Sequence, residues 1–197
     1  DKDKKEIKYK NAFLKIYNIP VLYFPKFFHP DPTVDRKSGF LMPSFGESKN
    51  LGASVNLPYF YAISESKDMT FKPRFFSSNE LLFQTEFRRV NKYSSHILDL
   101  SLNKTNSDDK NGRNTHFFSN SEFNLNNDYF NKSNLKVKIE KVSNDDYISL
   151  YSLESTSPII KDTSTLENII EFNGTQNNFN LDLSLESYET LGKPISD

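Results

Sequence analysis

Three histidines, His29, His96 and His116, are the first residues to weigh for metal or proton-transfer chemistry. None has a partner at metal-ligand spacing, and His29-Pro30-Asp31 reads as part of a connector rather than as a site. The acidic pairs Asp108-Asp109 and Asp145-Asp146 sit among Asn residues. That context makes them solvated turn residues rather than the paired carboxylates of acid–base catalysis. The six glycines are too scattered for a loop that cradles phosphate, and no serine sits in a nucleophile elbow. With no cysteine, thiol catalysis, disulfides and thiolate zinc sites are excluded within the chain. Asn103, Asn131 and Asn173 each open an Asn-x-Ser/Thr triplet, a weak signal where Asn and Ser make up more than a fifth of the residues. The residues support no enzyme, no metal and no cofactor.

Two prolines are more informative. Pro43 and Pro58 fall inside or at the margin of runs that otherwise read as strands, where proline deletes a ladder donor. They mark either an ordinary strand end or edge, or a deliberate weakening of strand pairing near one border of a sheet.

The elements that must position these residues follow from composition and period. Of the 197 residues, only 36% are hydrophobic, yet 18 are Phe and 10 are Tyr. Aromatics amid Asn and Ser favour strands joined by polar turns, and a disordered chain would lack the aromatics. From Phe179 the sequence alternates strictly, with Phe179, Leu181, Leu183 and Leu185 on one face and Asn180, Asp182, Ser184 and Glu186 on the other. Leu98, Leu100 and Leu102 oppose Asp99, Ser101 and Asn103 in the same way, and Leu135, Val137 and Ile139 oppose Lys136, Lys138 and Glu140. Phe83, Thr85 and Phe87 oppose Gln84, Glu86 and Arg88, and Val55 to Ile63 alternates likewise. Leu166, Ile170 and Phe172 make a weaker case, with Glu167 and Glu171 opposite. Polar turns are expected at 91–94, at 126–128, at 143–146 and at Asn173-Gly174, and extended loops at 104–114 and 154–165. The expectation is an all-β chain of about ten antiparallel up-and-down strands.

That pattern fits a soluble sandwich or a transmembrane barrel, whose apolar band faces lipid around a polar interior. Alternation alone does not separate them. Strands of about 9–11 residues, longer than the usual 5–6, suit a barrel, as do charges such as Glu86, Arg88, Asp99, Lys136, Lys138, Glu140, Asp182 and Glu186 on the second face. In a barrel, arginine at an outward leucine would be costly and arginine at inward Ser101 or Ser184 much less so. No run of 18 apolar residues forms a membrane helix. The 25 Lys and Arg against 26 Asp and Glu leave no basic face for nucleic acid. The charged start, Asp1 to Lys5, is expected of a chain whose leader is removed or which is an internal segment. Residues 12–17 and 21–24 read as strands broken by Pro20, and Pro25, Pro30 and Pro32 mark an extended connector with a domain boundary near it.

Five pieces in order resemble one family. They are Ile19-Pro20-Val21-Leu22-Tyr23-Phe24-Pro25, Arg36-Lys37-Ser38-Gly39-Phe40-Leu41-Met42-Pro43, Leu57-Pro58-Tyr59-Phe60-Tyr61, Asp68-Met69-Thr70-Phe71-Lys72-Pro73 and Glu86-Phe87-Arg88. Over about residues 12–90 the chain is similar to the outer-membrane LPS-assembly family LptD, also called the organic solvent tolerance proteins. The resemblance implies residues 1–33 as the end of a periplasmic β-jellyroll with its connector, and 34–197 as the N-terminal part of an outer-membrane barrel of a Gram-negative bacterium. It implies lipopolysaccharide as cargo, released into the outer leaflet, with an LptE-like lipoprotein plug, a periplasmic LptA-like bridge protein and outer-membrane lipid as partners. Pro43 and Pro58 match the prolines of the family's lateral gate. The family barrel has more than twice the strands counted here, so this chain alone does not close it. A general porin-like barrel and a soluble carbohydrate-binding β-sandwich are the competing expectations.

Overall fold

The computed structural model describes residues 6–16, 18–30, 36–48, 50–104, 114–125 and 127–192. Strands β1 (Glu6–Ile16) and β2 (Ile19–Pro30) pair with each other in a separate two-stranded sheet. β2 therefore runs through Pro25, where a connector is expected from sequence. Asn11, at φ +51°, leaves β geometry opposite Pro25, so no ladder bond is asked of that proline.

The remaining strands are β3 (Gly39–Phe40), β4 (Ser44–Ser48), β5 (Gly52–Asn56), β6 (Tyr59–Ser64), β7 (Lys67–Phe76), β8 (Leu81–Asn91) and β9 (Ser94–Lys104). After them come β10 (Thr115–Leu125), β11 (Lys132–Val142), β12 (Thr165–Gln176) and β13 (Phe179–Thr190). They form one open antiparallel sheet in up-and-down order, with β13 at one border and β3–β4 at the other. From β7 onward each strand has ten to twelve residues, the length that spans a bilayer when tilted.

The two faces are inverted relative to a soluble sheet. Exposed large side chains share one face: Phe71, Phe75, Phe83, Leu100, Leu102, Phe117, Ile139, Leu183 and Leu185. The opposite face buries Asp68, Thr70, Arg74, Gln84, Glu86, Asp99, Ser101, Asn103, His116 and Glu140. One continuous sheet with apolar groups outside and polar groups inside is a barrel wall, and the sandwich is set aside. Tyr93, Tyr129 and Phe179 lie exposed at the ends joined by short turns, as an interfacial aromatic girdle requires.

Two turn expectations fail informatively. β12 runs straight through Asn173-Gly174, and the hairpin turns instead at Asn177-Asn178, with Asn177 at φ +50°. Gly174 is there for space: a Cβ would lie 2.7 Å from the Phe130 ring, which packs edge-on to Phe172. Residues 154–165 are not a plain solvated loop. The whole connection 143–164 folds onto the polar face as α1 (Tyr147–Leu150) and a 3-10 turn (Leu153–Ser155). Tyr147 and Tyr151, one turn apart, pack edge to face with ring centres 5.0 Å apart, and Ser152 ends the helix in a left-handed conformation at φ +47°. Tyr147, Ile148, Tyr151 and Leu153 have at most 1% exposure against Phe76, Leu82 and Phe118 of the sheet. Fully burying an Ile or Leu contributes about 1.5–3 kcal/mol, so this apolar contact holds the segment alongside its hydrogen bonds to the sheet. Leu166 joins the same cluster while Ile170 stays exposed, and Asn168 between them breaks the apolar row of β12.

Candidate functional site

The two sequence-predicted prolines meet in the first hairpin. β5 and β6 keep one register against β7, since Asn56 faces Arg74 and Tyr59 faces Phe71; they are a single strand interrupted at Leu57-Pro58. On the other side Ser44 faces Asn56, but Phe40 faces Tyr59. Three residues, Leu41 to Pro43, thus stand opposite two, Leu57 and Pro58. That is a β-bulge on the border strand, and Pro43 lies within it. Leu41 donates its N–H to the Pro58 carbonyl at 2.8 Å, and Pro58 has no N–H to return.

A third proline completes the weak line. Leu57 donates to the Pro73 carbonyl at 3.0 Å, and Pro73 again lacks the reciprocal donor. In the sequence Pro73 stands out only as part of a motif. The signal that assigns it a role is register, which places it opposite Leu57.

Below this hairpin, the chain entering the sheet is pinned to the inner wall. Arg36 pairs with Asp68, which also accepts from Arg88 Nε at 2.7 Å, and Arg36 Nη1 donates to the Glu65 carbonyl at 2.5 Å. Ser38 Oγ accepts from the Ala62 N–H at 2.9 Å.

The opposite half of the inner face is closed by the folded connection. Asp99, fully buried, accepts from Gln84 Nε2 at 3.0 Å, from His116 Nε2 at 3.1 Å and from the Ser157 hydroxyl. Ser101 Oγ lies 2.5 Å from His116 Nδ1 and 2.7 Å from the Tyr147 hydroxyl. One tautomer satisfies the whole chain: Tyr147 donates to Ser101, Ser101 to Nδ1, and Nε2–H to Asp99. Lys72 Nζ reaches both Glu86 Oε2 and the Thr156 carbonyl at 2.6 Å, and Thr156 Oγ1 donates to Gln84 Oε1 at 2.6 Å. Arg74 Nη1 donates to the Tyr151 carbonyl at 2.5 Å.

Ser101, His116 and Asp99 hold the groups of a nucleophilic relay, but they are wired as a clamp. The serine is on Nδ1 and the carboxylate on Nε2, His116 is 3% exposed, and the serine is capped by a tyrosine. Sequence reading missed this cluster because its members meet across strands rather than along them. His96 bonds Ser121 and Ser94, and His29 lies on β2. Among the described residues no group of three or more His, Cys, Asp or Glu could hold a metal. Of the Asn-x-Ser/Thr asparagines, Asn103 is buried against Tyr151.

Burial pushes the Tyr147 phenol from 10.0 up to about 12, the Ser101 hydrogen bond opposing the shift. Its folded value lies above its unfolded one, so the protonated phenol contributes stability that is fully present below about pH 10 and lost as the pH rises through about 12. Denaturation midpoints of the full-length protein should fall over that window, and Tyr147→Phe should flatten the fall. An equally steep decline in the variant would assign the pH dependence elsewhere.

Comparison with known proteins adds kinship to this geometry. The family model described as LptD protein matches residues 7–189. The LPS-assembly protein LptD of Pseudoalteromonas translucida (strain TAC 125) is 32% identical over 185 residues, covering 92% of this chain and 23% of that protein. The protein of the same name from Shewanella frigidimarina (strain NCIMB 400) is 49% identical over 79 residues, 40% of this chain and 10% of the relative. That of Legionella pneumophila (strain Lens) is 38% identical over 86 residues, 44% of this chain and 10% of the relative. The chain thus spans between 10% and 23% of the length of these relatives.

Proposed function

The chain belongs to the LptD protein family, and from that membership we propose that it is a wall segment of the outer-membrane barrel that assembles lipopolysaccharide at the cell surface. In this reading it acts without catalysis, as conduit and gate. Residues 34–197 open the barrel domain in the outer membrane of a Gram-negative bacterium, and residues 1–33 end a periplasmic jellyroll that receives cargo from an LptA-like bridge. An LptE-like lipoprotein fills part of the interior, and outer-membrane lipid surrounds the apolar face. No nucleic acid or cofactor takes part.

The observation that supports the gate is the interrupted first hairpin. Bulky glycolipid must leave sideways, because its acyl chains stay in lipid while its sugars cross through water. A closed barrel resists that, since every seam is stitched by backbone hydrogen bonds. Pro43 sits in a bulge on the border strand, and Pro58 withholds the bond that would answer Leu41. Each missing bond is typically worth about 0.5–1.5 kcal/mol net.

Pro43→Ala and Pro58→Ala in the full-length protein are expected to tighten this region and slow export, the double change more than either, while the barrel still assembles. The readouts are lipopolysaccharide crosslinking at the seam and outer-membrane permeability to large antibiotics. Normal export by the double variant would return both prolines to the status of strand-margin residues. Depletion of the full-length protein should deplete surface lipopolysaccharide, and unchanged surface levels would overturn the wider reading. Uptake of small sugars by liposomes carrying the protein would favour a porin-like barrel instead.

A further inference from the structure

Behind the first hairpin lies a pocket of about 460 Å³, walled by β4, β5, β7 and the folded connection. Arg74 bonds Tyr151 across it and Glu154 acts on Arg74 through charge, yet the polar capacity of the lining is only partly used. Asn56 is 7% exposed, and its Oδ1 has no hydrogen-bond partner. Its Nδ2 reaches Ser44 Oγ only at 3.3 Å; turning the amide over would satisfy the oxygen and strand the nitrogen instead. A buried amide atom left unpaired costs about 1–3 kcal/mol, which is reason to look for the group that satisfies it.

Arg74, also 7% exposed, spends one of its five donors on the Tyr151 carbonyl. Glu154 and the hydroxyl of Ser44 line the same space, and Phe76 and Tyr151 supply aromatic wall.

We propose that this pocket is a saccharide-binding site for a neutral sugar of the exported glycolipid, with Asn56, Arg74 and Glu154 as its recognition groups. The inference rests on the export reading above. A sugar ring presents hydroxyls that both donate and accept, and C–H faces that lie on aromatic rings. It would give Asn56 Oδ1 a donor, Arg74 an acceptor and Glu154 a hydroxyl. An acyl chain would leave the Asn56 oxygen and the remaining Arg74 donors without partners. A phosphate would meet the Glu154 carboxylate beside Arg74 and be repelled. Ser44 follows Pro43 directly, so the sugar would be held on the inner side of the border strand, where sideways exit begins.

The probe is the acyl-free oligosaccharide released from lipopolysaccharide by mild acid, added to the detergent-solubilised full-length protein and followed by calorimetry and saturation-transfer NMR. Asn56→Leu keeps the volume and removes the amide; binding should weaken at least tenfold with the melting temperature unchanged or raised. Glu154→Ala, at an exposed residue of the folded connection, should weaken binding several-fold and serves if the first variant folds poorly. Inorganic phosphate should not displace the oligosaccharide. No binding by the unaltered protein, unchanged binding by both variants, or displacement by phosphate would overturn the site. If export is normal but no oligosaccharide binds, the pocket inference fails and the export reading stands; if the oligosaccharide binds but surface lipopolysaccharide survives depletion, the export reading fails.

Discussion

Replacing Asp99 by alanine should destabilise the full-length protein by about 3 kcal/mol or more, at about 1–3 kcal/mol for each buried donor left unpaired, and loosen residues 143–164 on the inner face. The effect is large because Asp99 is fully buried and serves three donors at once: Gln84, His116 and Ser157. Alanine would leave all three without an acceptor in a place water does not reach, and the cost of removing one partner falls mainly on the groups left behind. Asp99→Asn keeps one acceptor oxygen and should lose much less. The same chain of bonds continues through Ser101 to Tyr147, so loosening at Asp99 is felt at α1. Limited proteolysis within 143–164 and denaturant titration read the two effects separately. Because the segment covers the polar face, leakage of small sugars through the reconstituted barrel should rise in the alanine variant. A segment that stays protease-resistant, with unchanged stability, would show that apolar packing of Ile148 and Leu153 alone holds it.

Most of the wall was legible because a period of two is a property of neighbouring residues. Phe179 to Glu186 and Leu98 to Asn103 alternate on the page as they do in the sheet, and their leucines lie on the exposed face. What failed were inferences from isolated dipeptides. Asn173-Gly174 has the composition of a turn, but the glycine is spent on a neighbour from another strand, Phe130. Pro25 looks like a stop, yet sits where the partner strand has already left the ladder. The folded connection looks in part like loop in the sequence because its one-turn helix is too short for a helical period, and its apolar residues are buried only by tertiary contact. The candidate site divides in the same way. Pro43 and Pro58 were visible as strand prolines, whereas Pro73, Asn56 and the Asp99–His116 pair acquire meaning only from register, which a single strand does not carry.

Register also sharpens the contrast between the two faces. Leu183→Arg should destabilise the membrane-embedded protein by about 2–4 kcal/mol, the cost of an arginine on the lipid face near the bilayer midplane. Leu183 is central in β13 and 56% exposed, so the cost would come from solvation rather than from lost packing. Its neighbour Ser184 points the other way into the polar interior and is itself exposed; Ser184→Arg should be nearly neutral. Alternation alone puts Ser101 in the same tolerant class, and there the structure corrects it. Ser101 is 5% exposed and bonded to His116 and Tyr147, so an arginine would collide with α1 and strand a charge among buried groups. Ser101→Arg is therefore expected to be costly although it faces inward, and the cost should shrink when α1 is removed in the same chain. Refolding into lipid vesicles, with unfolding free energies measured by denaturant titration, separates the three cases. Tolerance of arginine at Leu183 would remove lipid from the exposed face, whereas a penalty at Leu183 and Ser101 but not Ser184 requires a wall with lipid outside, a polar interior and one part of that interior already filled.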